Sequence, residues 1–248
     1  MNEKYRHKEL LNLLEQRKVL STTEIISLLN ISPATARRDI NKLNNSGKLR
    51  KVRNGAEYIY QGENSLTAEV VNNFSEKKRI ALYASTLCND GDSVILTCGS
   101  TMQLVAECLI EKDVQVITNY IPLANQMISH NHDNLIIVGG QYNKDKQITL
   151  PINNSDENKY AANIMFNSGK GFTKEGLFKT DMIIAHSEKE MKSWANKYVV
   201  LLDSSKLSKQ VGMLFSKLED IDLLITGKEA DENIICELKN LGLEIVLA

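Results

Sequence analysis

A chain of 248 residues, 42% hydrophobic and 25% charged, has the make-up of an ordinary globular protein and is long enough for two unequal domains. No apolar run approaches the roughly 20 residues of a membrane helix, and the polar start Met1-Asn2-Glu3-Lys4 lacks signal-peptide character, which points to the cytoplasm. The near-neutral total hides a split: residues 1–58 hold 12 Lys/Arg against 6 Asp/Glu and the remainder 18 against 25, so only the basic head suits a polyanion.

In chain order, Leu10, Leu11, Leu13 and Leu14 give a first helix from about Lys4 to Gln16 its apolar stripe. Ser21-Thr22-Thr23-Glu24 has the form of a capping box, in which hydroxyl and carboxylate satisfy each other's free backbone N–H groups. It opens a short second helix with Ile25, Leu28 and Leu29 expected on the inner face. After a turn at Asn30-Ile31, Ser32 stands at an N-cap and Pro33 at the first helical position, where its missing N–H costs nothing. The third helix, Pro33 to about Asn45, turns Ala36, Ile40 and Leu43 inward and leaves Thr35, Arg37, Arg38 and Asn41 outside, with Gly47 as its C-cap. Alternating residues on either side of Asn54-Gly55 predict a two-residue hairpin spanning 49–59. Three short helices and a basic hairpin make a winged helix-turn-helix over residues 1–59, the helix-turn-helix lying at about 20–39.

That geometry carries a DNA chemistry. A recognition helix fits the major groove of double-stranded DNA with its N-terminal residues at the base edges. Arg37 and Arg38 are candidates for bidentate reading of guanine, and Asn41 extends the same face. Ser32, Thr35 and the helix N-terminus suit phosphates, as do Lys51 and Arg53 on the wing, which add affinity without sequence information. The run Ser32-Pro33-Ala34-Thr35-Ala36-Arg37-Arg38-Asp39-Ile40, followed by Gly47-Lys48-Leu49, resembles the N-terminal module of DeoR-type repressors. That family commonly has isoleucine where Ala36 stands and a glycine pair where this chain has Asn54-Gly55.

Residues 60–75 lack pattern and form the expected linker to a second domain over 76–248. From there helices and strands alternate. Helices are predicted over Lys77–Cys88, Thr101–Ile110 and Leu123–Ser129. Strands are predicted at Ser93–Leu96, Val114–Ile117, Leu135–Val138 (buried), Tyr198–Leu202 and Leu223–Ile225, and Ile245–Leu247 is expected to close the sheet. The fold class is α/β, a mainly parallel sheet covered by helices. Cys88, Cys98, Cys108 and Cys236 are too scattered for a disulfide framework or a C-x-x-C metal site, and neither metal nor cofactor is expected.

Ligands of such sheets bind beyond the carboxyl ends of the strands. The first strand is followed by Thr97-Cys98-Gly99-Ser100-Thr101, a glycine and two hydroxyls opening straight into a helix N-terminus, a ready anion site. Later strand ends supply Asn119 and Tyr120, then Gly139, Gly140 and Gln141, then Asp203 and Lys206. The glycine-rich Ser168-Gly169-Lys170-Gly171 is a weaker candidate of the same kind. Glycines, hydroxyls, amides and lysines together suit a phosphate carried on a polyhydroxylated body.

This body resembles the sensor domain of DeoR-type regulators, which implies a fold similar to ribose-5-phosphate isomerase, assembly into a homo-oligomer and a small phosphorylated sugar as effector. Aspartate usually precedes Gly-Ser-Thr in the family; here the residue is Cys98. That cysteine, with Ile117–Asn125, Gly139–Lys144, Gly212–Ser216 and Lys51–Ala56, resembles the branch that governs L-ascorbate utilisation, which implies L-ascorbate 6-phosphate as the effector that releases DNA. An enzyme is the competing class. Isomerases of this fold carry an Asp-Gly-Ala-Asp-Glu motif to move a proton between carbons. The chain has no such cluster, and a non-enzymatic sensor is expected.

Overall fold

The computed structural model describes residues 3–45, 48–58, 71–151 and 160–248. The chain forms two compact units, Met1–Asn72 and Asn73–Ala248.

The first unit runs α1 (Glu3–Arg17), β1 (Val19–Ser21), α2 (Thr22–Leu29), α3 (Pro33–Asn45), β2 (Leu49–Val52) and β3 (Gly55–Tyr58). Ser21 accepts from the Glu24 backbone N–H while the Glu24 carboxylate takes the Ser21 N–H, a complete capping box. Asn30 ends α2 in the left-handed region (φ 50°), a conformation asparagine tolerates better than most residues. Leu10, Leu14, Ile25, Ala36, Ile40 and Leu43 share one core. Leu28 departs from expectation and is 41% exposed. The two-turn α2 buries only Ile25 and Leu29, four residues apart, and Ile26 packs at the core's edge in its place.

Val19–Ser21 is also a strand that the sequence reading passes over. It pairs antiparallel with β3, giving the order β1-β3-β2, and three residues are too few for a period to show. The close approach fixes Gly55: a Cβ there would collide with the Leu20 carbonyl oxygen across the pair. The expected Gly47 cap, the end of the wing at Ile59 and linker residues 60–70 lie outside the described residues.

In the second unit, α4 (Phe74–Ser85), β4 (Ser93–Leu96), α5 (Ser100–Leu109), β5 (Gln115–Thr118), α6 (Ile121–Ser129) and β6 (Leu135–Ile137) alternate as predicted. A hairpin of β7 (Gln141–Asn143) and β8 (Ile148–Leu150) follows, then β9 (Ala162–Asn167), β10 (Gly171–Thr173), β11 (Gly176–Lys179) and α7 (Met182–Lys192). The chain ends with β12 (Ala195–Leu201), β13 (Met213–Lys217), β14 (Leu223–Thr226), α8 (Glu232–Asn240) and β15 (Ile245–Leu247).

Seven strands form an all-parallel sheet in the order β15-β14-β12-β9-β4-β5-β6. Buried Val94, Ile95, Leu96, Met165, Phe166, Val199 and Val200 fill its centre. The predicted buried strand at Leu135–Val138 is instead an edge strand, half-exposed because it has one neighbour, and Ile137 is 41% exposed. The central β9 was not predicted, its short apolar run being flanked by asparagines. The order in which strands are added reverses between β4 and β9, since β5 and β6 continue to one side and β12, β14 and β15 to the other. Such a switch point opens a crevice at the carboxyl ends of the strands. A second, antiparallel sheet, β10-β11-β13, stands beside it.

Candidate functional site

The first unit presents α3 and its hairpin. Ser32 caps the helix by accepting from the Thr35 backbone N–H (3.2 Å), and the two hydroxyls share a bond of 2.8 Å. The side chains of Arg37, Arg38 and Arg53 are exposed and make no hydrogen bond or ion pair with the described residues. Lys51 ties the hairpin to the helix: its Nζ donates to Asn41 Oδ1 (2.9 Å) and its backbone N–H to Asn44 Oδ1 (2.7 Å). Asn41 and Lys51 are therefore tied to each other on the exposed surface. Asp39 points the other way, buried, and accepts from Arg6 and from His7 (3.0 Å) on α1. Burial by itself would raise its carboxyl, but those two partners outweigh burial and hold it below the usual aspartate range.

The second unit holds a cavity of about 380 Å³ at the carboxyl ends of β12, β9, β4 and β5. Cys98, Gly99, Ser100 and Thr101 line it from the β4–α5 junction, Tyr120 from the end of β5 and Lys170 from beyond β9. Asp203 and Lys206 enter after β12. Gly99 adopts φ 119°, a region that glycine reaches without strain, and so turns the chain directly into α5.

Four expected residues do not meet there. Asn119 is buried behind the cavity, its Nδ2 donating to the Thr149 carbonyl (3.2 Å), where it fastens β5 to the β7–β8 hairpin. Gly139 and Gly140 lead into that hairpin and Gln141 opens its first strand, and all three are exposed and off the cavity wall. Gly140 answers a packing demand, since a Cβ on it would collide with the Leu150 carbonyl oxygen.

The cavity also contains residues that strand-end reading overlooks. Lys77 reaches in from α4, its Nζ 3.4 Å from Ser100 Oγ and 3.8 Å from Asp203 Oδ2. Burial lowers its pKa; the nearby Asp203 pulls the other way, and Lys206 and Lys170 push it down further. Asp203 is lowered in spite of its burial, through hydrogen bonds from Ser205 and Asn73 and the charges of Lys206 and Lys77. At the opposite wall, Lys146 of the β7–β8 turn pairs with Asp181, whose carboxylate also caps α7 by accepting from Ile183 (3.0 Å) and Ile184 (3.1 Å). Lys179 and its partner Glu188 are almost wholly buried. Burial pushes the Tyr120 phenol up to about 12 and carries the Cys98 thiol well above its ordinary range, so both are neutral at physiological pH.

Of the five lysines that face the cavity, Lys179 is neutralised by Glu188 and Lys146 is paired with Asp181, which leaves Lys77, Lys170 and Lys206 with Asp203 beside a helix N-terminus carrying two hydroxyls. Chemically, that arrangement can accept an anion. The described residues include no cluster of His, Cys, Asp and Glu able to hold a metal, and no helix of theirs is long and apolar enough to cross a membrane.

Comparison with known proteins agrees with both halves. Residues 6–61 match the DeoR-like helix-turn-helix domain and residues 72–228 the DeoR C-terminal sensor domain. Over an alignment of 249 residues the chain is 50% identical to the HTH-type transcriptional regulator UlaR of Escherichia coli and to that of Shigella boydii, covering 99% of each partner. Among solved structures, ribose-5-phosphate isomerase A of Methanocaldococcus jannaschii aligns with 56% of this chain and 57% of its own at a TM-score of 0.43 and 24% identity.

Proposed function

Because the chain belongs to the DeoR family of helix-turn-helix transcriptional regulators, we propose that it represses an L-ascorbate utilisation operon and leaves its operator when L-ascorbate 6-phosphate fills the sensor cavity. The observation that carries this reading is the cluster of Lys77, Lys170 and Lys206 around the hydroxyls at the start of α5. Three cations held this close repel one another, and a phosphate dianion relieves the repulsion while taking N–H bonds from the helix end. The identity to UlaR along the whole chain, with the cysteine before Gly-Ser-Thr, favours the ascorbate branch over other sugar phosphates.

In this reading Ser100, Thr101, Gly99, Lys77, Lys170 and Lys206 hold the phosphate, and Asp203 fixes the lysines. Cys98 and Tyr120 contact the body of the ligand. Arg37, Arg38 and Asn41 read bases, while Ser32, Thr35, Lys51 and Arg53 hold DNA phosphates. The protein works as a homo-oligomer whose DNA-competent form is the one the phosphate ester binds less well, so ligand shifts the population off DNA.

The test takes double-stranded DNA selected from a random pool by the wild-type protein, and follows its release by fluorescence anisotropy against a panel of sugar phosphates. Release by L-ascorbate 6-phosphate and not by unphosphorylated ascorbate is the expected result. Release by a different ester keeps the repressor and reassigns its pathway. Release by none removes the effector reading.

A further inference from the structure

The most deeply buried ion pair among the described residues of the second unit is not required by the phosphate site: its Lys179 lines the cavity, and its Glu188 sits directly behind Cys98, which lines the cavity too. Lys179 and Glu188, with side chains 6% and 1% exposed, form an ion pair between the end of β11 and the middle of α7. Lys179 Nζ also donates to Asn167 Oδ1 (2.7 Å) and stands 4.6 Å from the centre of the Phe215 ring. Two oxygens therefore use two of its three N–H groups, which leaves one N–H for a ligand in the cavity that Lys179 lines. On Glu188, Oε1 receives only the S–H of Cys98, at 3.3 Å, a weak donor that a hydroxyl readily displaces. The supporting layer is saturated. Asn167 Oδ1 accepts in addition from Thr97 (3.2 Å) and the Ser168 N–H (2.7 Å), and its Nδ2 donates to Tyr198 Oη (3.3 Å). Desolvating a pair this thoroughly cancels most of its attraction, so stability alone is a poor reason to place one on a cavity floor.

We propose that the Lys179–Glu188 pair reads the carbon body of the effector: Lys179 donates to one ligand oxygen and Glu188 accepts from the hydroxyl on the adjacent carbon. The site then selects phosphate monoesters that carry vicinal oxygens, as an enediol or a cis-diol does, over esters that offer a phosphate alone. This inference rests on the reading that the cavity binds a sugar phosphate. A site built to hydrogen-bond a hydroxyl rejects an analogue lacking it far more strongly than an apolar pocket rejects one of the wrong size.

The experiment measures dissociation constants of the full chain for inorganic phosphate, propyl phosphate and a panel of sugar phosphates including L-ascorbate 6-phosphate. It uses the wild type, Glu188→Gln and the charge-free double variant Lys179→Met, Glu188→Gln. The wild type is expected to prefer one sugar phosphate to propyl phosphate by at least a hundredfold. In both variants that preference falls tenfold or more, while inorganic phosphate binds as in the wild type. If the variants bind inorganic phosphate and keep the preference, the inference is overturned and the sugar-phosphate reading survives. If the wild type itself shows no preference for any sugar phosphate, both readings fall together. A preference for an ester other than L-ascorbate 6-phosphate that the variants lose upholds the pair and reassigns the effector. Loss of the inorganic-phosphate response in both variants makes the pair structural and also overturns the inference.

Discussion

Arg6 on α1 grips Asp39 on α3 with two guanidinium N–H bonds, one of them 3.0 Å from Nη2 to Oδ1, so the helix carrying Arg37 and Arg38 is anchored from behind by a charge. Cutting a half-buried, charge-assisted pair of this kind costs about 2–3 kcal/mol. Arg6→Ala and Asp39→Asn are each expected to lower the melting temperature of the first unit. The pH dependence has a definite sign. Because the Asp39 carboxyl titrates below the usual aspartate value in the folded state, its contribution is complete above that value and lost as pH falls through the lowered one. Wild type and Asp39→Asn should therefore differ most at neutral pH and converge in acid. A gap that stays constant down to pH 2 rules the mechanism out.

On the opposite face of α3 and on the hairpin beside it, the proposed roles of Arg38 as a base reader and Lys51 as a phosphate holder predict different losses. Arg38→Ala should weaken selected DNA by about 1–3 kcal/mol and relax base preference at one position. Lys51→Ala should weaken all sequences alike and lower the salt dependence of binding by about one counterion. Titrations at several salt concentrations separate the two. Equal salt slopes for wild type and Lys51→Ala would show that this lysine only braces Asn41.

Within the sensor unit, Ser100→Ala and Lys77→Met should yield repressors that hold DNA and ignore inducer. The expected loss is about tenfold for the hydroxyl and more for the buried cation, by analogy with neutral and charged hydrogen bonds. DNA release and direct effector binding are the readouts. Normal induction of both variants would remove the start of α5 as the phosphate site.

Asp181 serves two masters, capping α7 and pairing with Lys146. Asn keeps an acceptor for the cap but gives up the charge, while Ala gives up both. Asp181→Ala is expected to cost about 1 kcal/mol of stability and Asp181→Asn almost none. Both should weaken effector severalfold if the ion pair holds the β7–β8 turn over the cavity. Tight binding by Asp181→Asn with weak binding by Asp181→Ala would assign the whole effect to the helix cap.

How much was legible in the sequence follows from how local each cause is. The capping box at Ser21, the Pro33 start of α3 and the glycine at position 99 are satisfied by neighbours within four residues, and each was readable. Lys77 was not, because it sits on an ordinary amphipathic helix and acquires its meaning only when α4 folds against α5 and β12. Lys179 ends a run of buried residues, Gly176-Leu177-Phe178, and a charge there is a signal that strand-end reading passed over. Conversely Gly139 and Gly140 looked like an anion turn, but Gly140 is dictated by the Leu150 backbone ten residues away. The parallel sheet was inferred from alternation, while β9 was invisible as a strand despite standing at its centre.

The position of β9 has a consequence in time. During synthesis β4, β5 and β6 emerge first, yet the neighbour that completes β4 on its other side lies 70 positions later, Val94 pairing with Ile164. The contacts of the first unit described above all lie within residues 3–58. Ribosomes add about 5–20 residues per second, so several seconds separate completion of the head from arrival of the strand that opens the crevice. The helix-turn-helix head of a newly made molecule is therefore complete before the strand that opens the crevice has been made.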